Sequence, residues 1–265
     1  MKNLYITFFV FILAYGAQAQ WSPLVSGTNS DLNAVYFVNS SNGYAAGGNG
    51  TIIKTSNGGT TWITQHSGTF EYLKSIYFVD VNHGYAVGDF GSYYKTIDGG
   101  ITWNGSILND SCDYYSISFT DINTGYIVGG NLYKQKGVIL KTTNGGTTWT
   151  LLSSNNFNWL NSIFFINSNT GYAVGDNGVI IKTTNAGLNW VSLVSGTTKR
   201  ISDVFFNTEN YGFAARDGGV VLKTTDGINW TLHSTGYTND VMSICFTDDN
   251  TGYAVGSGNT IFKTT

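Results

Sequence analysis

The feature that most limits what this chain can fold into is an internal repeat of about 41 residues. A Gly-aromatic pair recurs at Gly43-Tyr44, Gly84-Tyr85, Gly125-Tyr126, Gly171-Tyr172, Gly212-Phe213 and Gly252-Tyr253, in steps of 41, 41, 46, 41 and 40. A Lys-Thr pair keeps the same rhythm at Lys54, Lys95, Lys141, Lys182, Lys223 and Lys263, and six tryptophans do so at Trp21, Trp62, Trp103, Trp149, Trp190 and Trp230. One unit of this size cannot bury its own apolar face. Repetition at a fixed period therefore points to like units stacked in an array or a ring. The longer step is accounted for by an insertion at Asn131 to Lys136.

Each unit reads as four short strands separated by Gly, Asn, Asp and Ser turns. In the fourth, Leu160 to Ile166 is almost wholly apolar, as an inner strand buried on both faces should be. Gly171 to Gly175 and Val179 to Thr183 follow, and a last strand begins at Trp190. No window holds a 3.6-residue period over helix length, which disfavours a helical solenoid. With 34 Gly, 17 Tyr, 16 Phe and a single Pro, the composition suits aromatic strands and tight turns. The expectation is an all-β, six-bladed β-propeller of four-stranded antiparallel blades. The chain starts on a Trp strand (Trp21 to Val25) and stops after a Lys-Thr strand (Lys263 to Thr265). Six strands of each type result only if the N-terminal Trp strand pairs with the C-terminal three, closing the ring and removing its edges. The alternative is that further blades or a sorting tail follow Thr265.

Residues 1–19 have the form of an export signal: Met1-Lys2, an apolar run from Leu4 to Ala14, and Ala17-Gln18-Ala19 as the cleavage site. The run falls short of the roughly 20 residues that span a bilayer. A single propeller domain over 20–265 is expected in the periplasm, at the cell surface or outside the cell, as a monomer. Loss of Lys2 leaves 12 Lys+Arg against 16 Asp+Glu, a net charge of −4, which argues against nucleic acid as a partner. Cys112 and Cys245 are too few for a disulfide framework and are expected to be two unpaired thiols, Cys245 as a small buried apolar residue.

The turn before each Trp reads Thr55-Ser56-Asn57-Gly58-Gly59-Thr60-Thr61-Trp62 and returns at Thr96 to Trp103, Thr142 to Trp149 and Thr183 to Trp190. A copy one residue shorter runs from Thr224 to Trp230. This turn resembles the Asp-box, or bacterial neuraminidase repeat. With the Gly-Tyr-Ala-Val-Gly strand, the unit is most similar to the propeller repeat of the photosystem II assembly and stability factor family, a likeness that spans residues 21–265. The resemblance implies a propeller. It implies no single task, because Asp-box propellers include sialidases, xyloglucan-cleaving enzymes, receptors and assembly factors. It also implies an arginine-rich face and usually seven blades, whereas this chain has six units and two arginines.

Within the boxes, Asn57, Asp98, Asn144 and Asn185 can accept backbone N–H bonds, and Trp62, Trp103, Trp149 and Trp190 can pack between sheets. One carboxylate per turn falls short of a calcium site, so neither metal nor cofactor is expected. Two arginines, Arg200 and Arg216, do not supply the three that sialidases use for the substrate carboxylate. No nucleophile elbow, phosphate loop or spaced histidine pair is present, so no catalytic residue is assigned. Functional residues are best sought where equivalent positions differ. Ahead of each inner strand stand Asp31, Tyr72, Asp113, Trp159, Arg200 and Asp240. At or after the second strands, on the same rim, stand Asp89, Asp176 and Arg216. Arg200, Arg216, Trp159, Tyr72, Asp89 and Asp176 are accordingly the expected binding set. It would hold a protein carboxylate or a polysaccharide through charge-assisted bonds and an aromatic platform. A plain ion-pair role for the arginines is the competing reading. The expected function is a non-catalytic binding scaffold. The alternative is an extracellular glycoside hydrolase, which would need two facing carboxylates roughly 5 to 9.5 Å apart.

Overall fold

The computed structural model describes residues 23–109, 111–152 and 157–264. The expected signal segment, Trp21 and Ser22 lie outside the described residues. The described chain forms a six-bladed β-propeller: five four-stranded antiparallel sheets and, as the last, one of three strands. The second blade illustrates the plan, with Leu73–Phe78 innermost, then Gly84–Gly88, Ser92–Thr96 and Asn104–Ile107. The other inner strands are Leu32–Phe37, Cys112–Phe119, Leu160–Phe165, Ile201–Phe206 and Val241–Phe246.

From blade 2 onward inner strands are buried on one side only, because the other side lines the central channel; this corrects the expectation of burial on both faces. In blade 2, Leu73, Ile76 and Phe78 are buried whereas Lys74 and Ser75 face the channel cavity. Every inner strand carries a bulge near its start, where one extra residue stands opposite the second strand: Asn33, Lys74, Tyr115, Asn161, Ser202 and Met242. A bulge re-aims side chains, so two consecutive residues of each blade point into the channel.

The core is distributed among the seams between blades. Five buried clusters match the seams 1/2, 2/3, 3/4, 4/5 and 5/6. At each, a second-strand aromatic stacks on the inner-strand Phe of the next blade: Tyr44 on Phe78, Tyr85 on Phe119, Tyr126 on Phe165, Tyr172 on Phe206 and Phe213 on Phe246, with centroids 3.7 to 4.0 Å apart. The glycine before the aromatic has a steric cause: a Cβ on Gly84 would lie 2.3 Å from the Phe78 ring that crosses it. The repeated Trp stands edge-on to the same Phe, as Trp103 does to Phe78 at 5.9 Å and 89°.

The Asp-box turns tie seams together. Asn57, Asp98, Asn144 and Asn185 each accept the backbone N–H four residues on, at 2.9 Å. The preceding blade's Tyr hydroxyl and Lys ammonium then converge on one carbonyl of the turn: Tyr44 and Lys54 on Gly99, Tyr85 and Lys95 on Gly145, Tyr126 and Lys141 on Ala186, Tyr172 and Lys182 on Gly227. Repeat residues that look chemically rich are thus absorbed by packing.

The insertion does not form a separate loop. It lengthens a hairpin, extending Gly125–Asn131 and Lys136–Thr142 toward the rim. No disulfide joins the cysteines; Cys112 is buried, but Cys245 is exposed. The expected burial of Cys245 fails because, among the described residues, the strands of blades 6 and 1 do not pack on each other to the extent that other neighbouring blades do.

Candidate functional site at the channel mouth

The bulged residues and their successors line the channel in two tiers. The second tier is Ala34, Ser75, Ser116, Ser162, Asp203 and Ser243, and its polar members stitch blades together. Ser75 accepts the Ile117 N–H, Ser116 that of Ile163 and Asp203 that of Ile244, at 3.0 to 3.4 Å. Asp203 also accepts the Ser162 and Ser243 hydroxyls, both at 2.8 Å, and its own neighbour's N–H from Val204. Burial pushes the Asp203 carboxyl above its ordinary range, against those four bonds. In the upper tier, Asn33, Asn161 and Ser202 donate to the next inner strand's first carbonyl, at Leu73, Ile201 and Val241. Lys74, Tyr115 and Met242 are the exceptions, and Lys74 and Tyr115 turn toward the rim.

Around that rim, the residue ahead of each inner strand lies over the residue just past the previous blade's second strand. Tyr72 lies against Gly48 and Trp159 against Gly130, where a Cβ would meet the rings at 3.1 and 2.5 Å. Arg200 lies over Asp176, its Nε 3.8 Å from the carboxylate, which also accepts from Asn161 at 3.0 Å. Trp159, Asp176 and Arg200 line one cleft of about 450 Å³ together with Gln135, Asn158 and Asn177. Gln135 comes from the insertion, which thereby forms one wall.

Tyr72 and Asp89 belong to a second set, in blade 2. Lys74 lies 5.2 Å from the centre of the Tyr72 ring and 3.3 Å from the Asp89 carboxylate. Burial raises the Asp89 carboxyl, the Lys74 charge opposes that, and Asp113 adds to it. Five of the six expected rim residues therefore divide between two stations, with Tyr115 between them, and Arg216 stands apart beside Thr197. The Tyr115 phenol, pushed up to about 12 chiefly by burial, also feels Asp113, Asp89, Asp176 and Arg200. Lys74 and Tyr115 were missed from sequence. The signal was present: their bulge position varies from blade to blade as much as the rim position does.

Arg216 is the most unusual residue. Its equivalents are Gly47, Gly88, Gly129, Gly175 and Gly256, where a Cβ would lie 1.8 to 2.1 Å from the carbonyl oxygen ahead of the inner strand. No side chain fits that approach, so blade 5 must adjust its backbone. The turn that follows is a short 3-10 turn at Gly48–Gly50, Asp89–Gly91 and Asp176–Gly178 in blades 1, 2 and 4, and a plain turn over 217–219 and 257–259 in blades 5 and 6, which carry Arg216 and Gly256. The Arg216 Nε donates to the Thr197 hydroxyl at 3.0 Å, and among the described residues the guanidinium makes no ion pair. Burial raises the neighbouring Asp217 carboxyl, Asp240 adds to this, and Arg200 and Arg216 oppose it.

Four of the rim acids have partners. Asp113 accepts the Phe90 N–H and Asp240 the Gly218 N–H, at 2.9 and 2.8 Å, while Asp89 and Asp176 are ion-paired. Among the described residues no three His, Cys, Asp or Glu side chains gather as a metal site, and no helix is long and apolar enough to cross a membrane.

Residues 64–209, more than half of the chain, match the family described as photosynthesis system II assembly factor YCF48. The chain belongs to that family. Its fold is shared with YCF48 from Cyanidioschyzon merolae, at 16% identity over 93% of this chain and 98% of that one, TM-score 0.62. A YCF48 structure bound to a D1 peptide is also similar, at 18% identity over 94% of this chain and 96% of the other, TM-score 0.53. An ancestral enzyme of glycoside hydrolase family GH74 aligns at 17% identity over 93% of this chain but only 38% of its own, TM-score 0.72. No curated protein sequence matches the chain. At these identities the solved structures speak for the fold, and the family membership rests on the sequence match.

Proposed function

We propose that this YCF48-family propeller is an exported, non-catalytic scaffold that binds a carboxylate-bearing peptide segment of a protein partner at its channel mouth. Arg216 and Arg200 hold the carboxylate, Trp159 supplies the apolar platform, and the hairpin wall at Gln135 closes one side. The observation that carries this reading is Arg216, an arginine at a position where five other blades need glycine, whose guanidinium faces no carboxylate within ion-pair distance. A guanidinium that stands where the sister blades carry glycine, and that makes no ion pair among the described residues, is placed for a ligand. Arg200 is held only by a long contact to an Asp176 that Asn161 also supports, so a stronger bidentate partner can displace it. A YCF48 relative binds a D1 peptide, which favours protein over polysaccharide as the partner class.

The hydrolase alternative needs two carboxylates facing each other with a role to spare. Asp89, Asp176, Asp113 and Asp240 are instead engaged by Lys74, Arg200, Asn161 or backbone N–H groups, which favours a binding surface. The test is an array of random peptides with free C-termini, probed with the chain and with the Arg200→Ala/Arg216→Ala variant. Enrichment of carboxylate-rich peptides that lose at least about tenfold in affinity in the variant is expected, since a charge-assisted bond contributes about 1.5 to 3 kcal/mol. Equal binding by the variant, or release of reducing sugar from a polysaccharide panel, would reject the proposal.

A further inference from the structure

Blade 2 presents an aromatic arc on the rim that the repeat does not require. Phe70, Tyr72 and Phe90 are 89, 43 and 52% exposed. Two residues ahead of each rim position, where blade 2 has Phe70, blades 1, 3, 5 and 6 carry the polar Asn29, Ser111, Thr198 and Thr238. Phe90 stands in the left-handed region at φ +53°, and its equivalents there are Asn49, Asn177, Gly218 and Gly258, the residue types that accept this conformation readily. A bulky aromatic is rare in it. The Phe90 N–H donates to Asp113 at 2.9 Å, and the Asp89 N–H donates to the Tyr72 carbonyl at 3.0 Å, so the turn and the Tyr72 loop form one surface.

The charges around this arc select its occupant. Glu71, Asp89 and Asp113 act on one another there, and Lys74 is the cation that answers them. Three carboxylates against one ammonium leave an excess of negative charge, and Glu71 makes no ion pair among the described residues. Lys74 also displays the chemistry of the place, with its Nζ 5.2 Å from the Tyr72 ring centre and 3.3 Å from the Asp89 carboxylate. A planar guanidinium suits such a surface better still, because it lies flat on an aromatic ring while its edge donates to carboxylates.

We propose that Phe70, Tyr72 and Phe90 seat an arginine side chain of the partner segment, with Glu71 and Asp89 supplying the counter-charge. The inference rests on the peptide reading above and gives that peptide a direction: arginine at blade 2, carboxylate at blade 5. Between them the chain crosses Tyr115 and Trp159, whose ring centres are 6.1 Å apart. The Tyr115 phenol feels both Asp89 and Arg200, so a few extended residues, at roughly 3.3 Å each, join the two ends.

The test uses two sets of peptides against the chain, Phe90→Asn and Arg216→Gly, read by fluorescence anisotropy. The first set is acetylated and C-amidated and carries either one arginine or norleucine in its place. The second joins the arginine to a free C-terminal carboxylate at separations of about two to eight residues. The amidated arginine peptide is expected to bind at least about fivefold tighter than its norleucine counterpart. Phe90→Asn should abolish that preference with a melting temperature equal or higher, as it regains the residue of blades 1 and 4, and Arg216→Gly should keep it. At the best separation the joined peptide should bind at least about a hundredfold tighter than the amidated one, since linkage makes the second contact intramolecular. Equal binding of arginine and norleucine peptides, or a preference that survives Phe90→Asn, overturns the arginine seat even where carboxylate peptides respond to Arg216→Gly. A lowered melting temperature in Phe90→Asn assigns Phe90 to the fold and also overturns it. An arginine preference lost in Phe90→Asn, beside carboxylate peptides indifferent to Arg216→Gly, supports the seat and rejects the carboxylate reading alone.

Discussion

A single carboxylate shows how much chemistry the repeat leaves inside its turns. Asp98 accepts the Thr102 hydroxyl and N–H and the Thr96 hydroxyl, which hold its carboxyl at about 2, below the ordinary 3.8. Its folded value is the lower one, so its contribution to stability is complete above pH 4 and is lost as pH falls toward 2. The other boxes do the same work with Asn57, Asn144 and Asn185, whose amides do not titrate. Asp98→Asn is therefore expected to fold normally and to show a shallower fall in melting temperature between pH 5 and 2; an unchanged slope would contradict the assignment. Trp103, buried at the seam between blades 1 and 2, should cost about 3 to 5 kcal/mol on change to Ala, read from urea unfolding. Residues of this kind were legible in sequence because repetition itself marks them as packing. Arg216 was legible as an exception among glycines. What sequence could not show was the reason, a carbonyl oxygen lying where the Cβ must go.

At the scale of the element, the inner-strand bulge decides which side chains reach the channel. Periodicity located the inner strands to within a residue at Leu160–Phe165, yet strict alternation hides a bulge, since one inserted residue reverses the face of everything beyond it. That is why Lys74 and Tyr115 escaped notice although they join the two stations of the rim. The bulge also explains Asp203, which stands where Ser75, Ser116, Ser162 and Ser243 stand elsewhere. Asp203→Ser keeps an acceptor for the Ile244 N–H and removes a desolvated charge, so a change within about 1 kcal/mol is expected. Asp203→Leu strands the Ser162 and Ser243 hydroxyls and two N–H groups and should cost about 3 kcal/mol or more. Equal unfolding midpoints for the two variants would show that the stitch is unimportant.

For the whole molecule, the ring converts six nearly identical units into one asymmetric mouth. Identical positions build the seams, and the asymmetry lies in the few places where the units differ: an aromatic at Trp159, the lengthened hairpin beside it, and two arginines in blade 5. The blade count and the strand order followed from spacing alone. The division of the rim into two stations did not, because it depends on which residue overlies which across a seam. The central claim is that Arg216, at a position where the five sister blades carry glycine, serves a ligand. The most direct test compares the chain with Arg216→Gly, measuring affinity for an array-selected peptide by fluorescence anisotropy and the urea midpoint of each protein. The account predicts an affinity at least about tenfold weaker with a midpoint equal or higher, as the variant regains the glycine of its five sister blades. Unchanged affinity, or a lowered midpoint with binding intact, would show that Arg216 serves the fold and would contradict the claim.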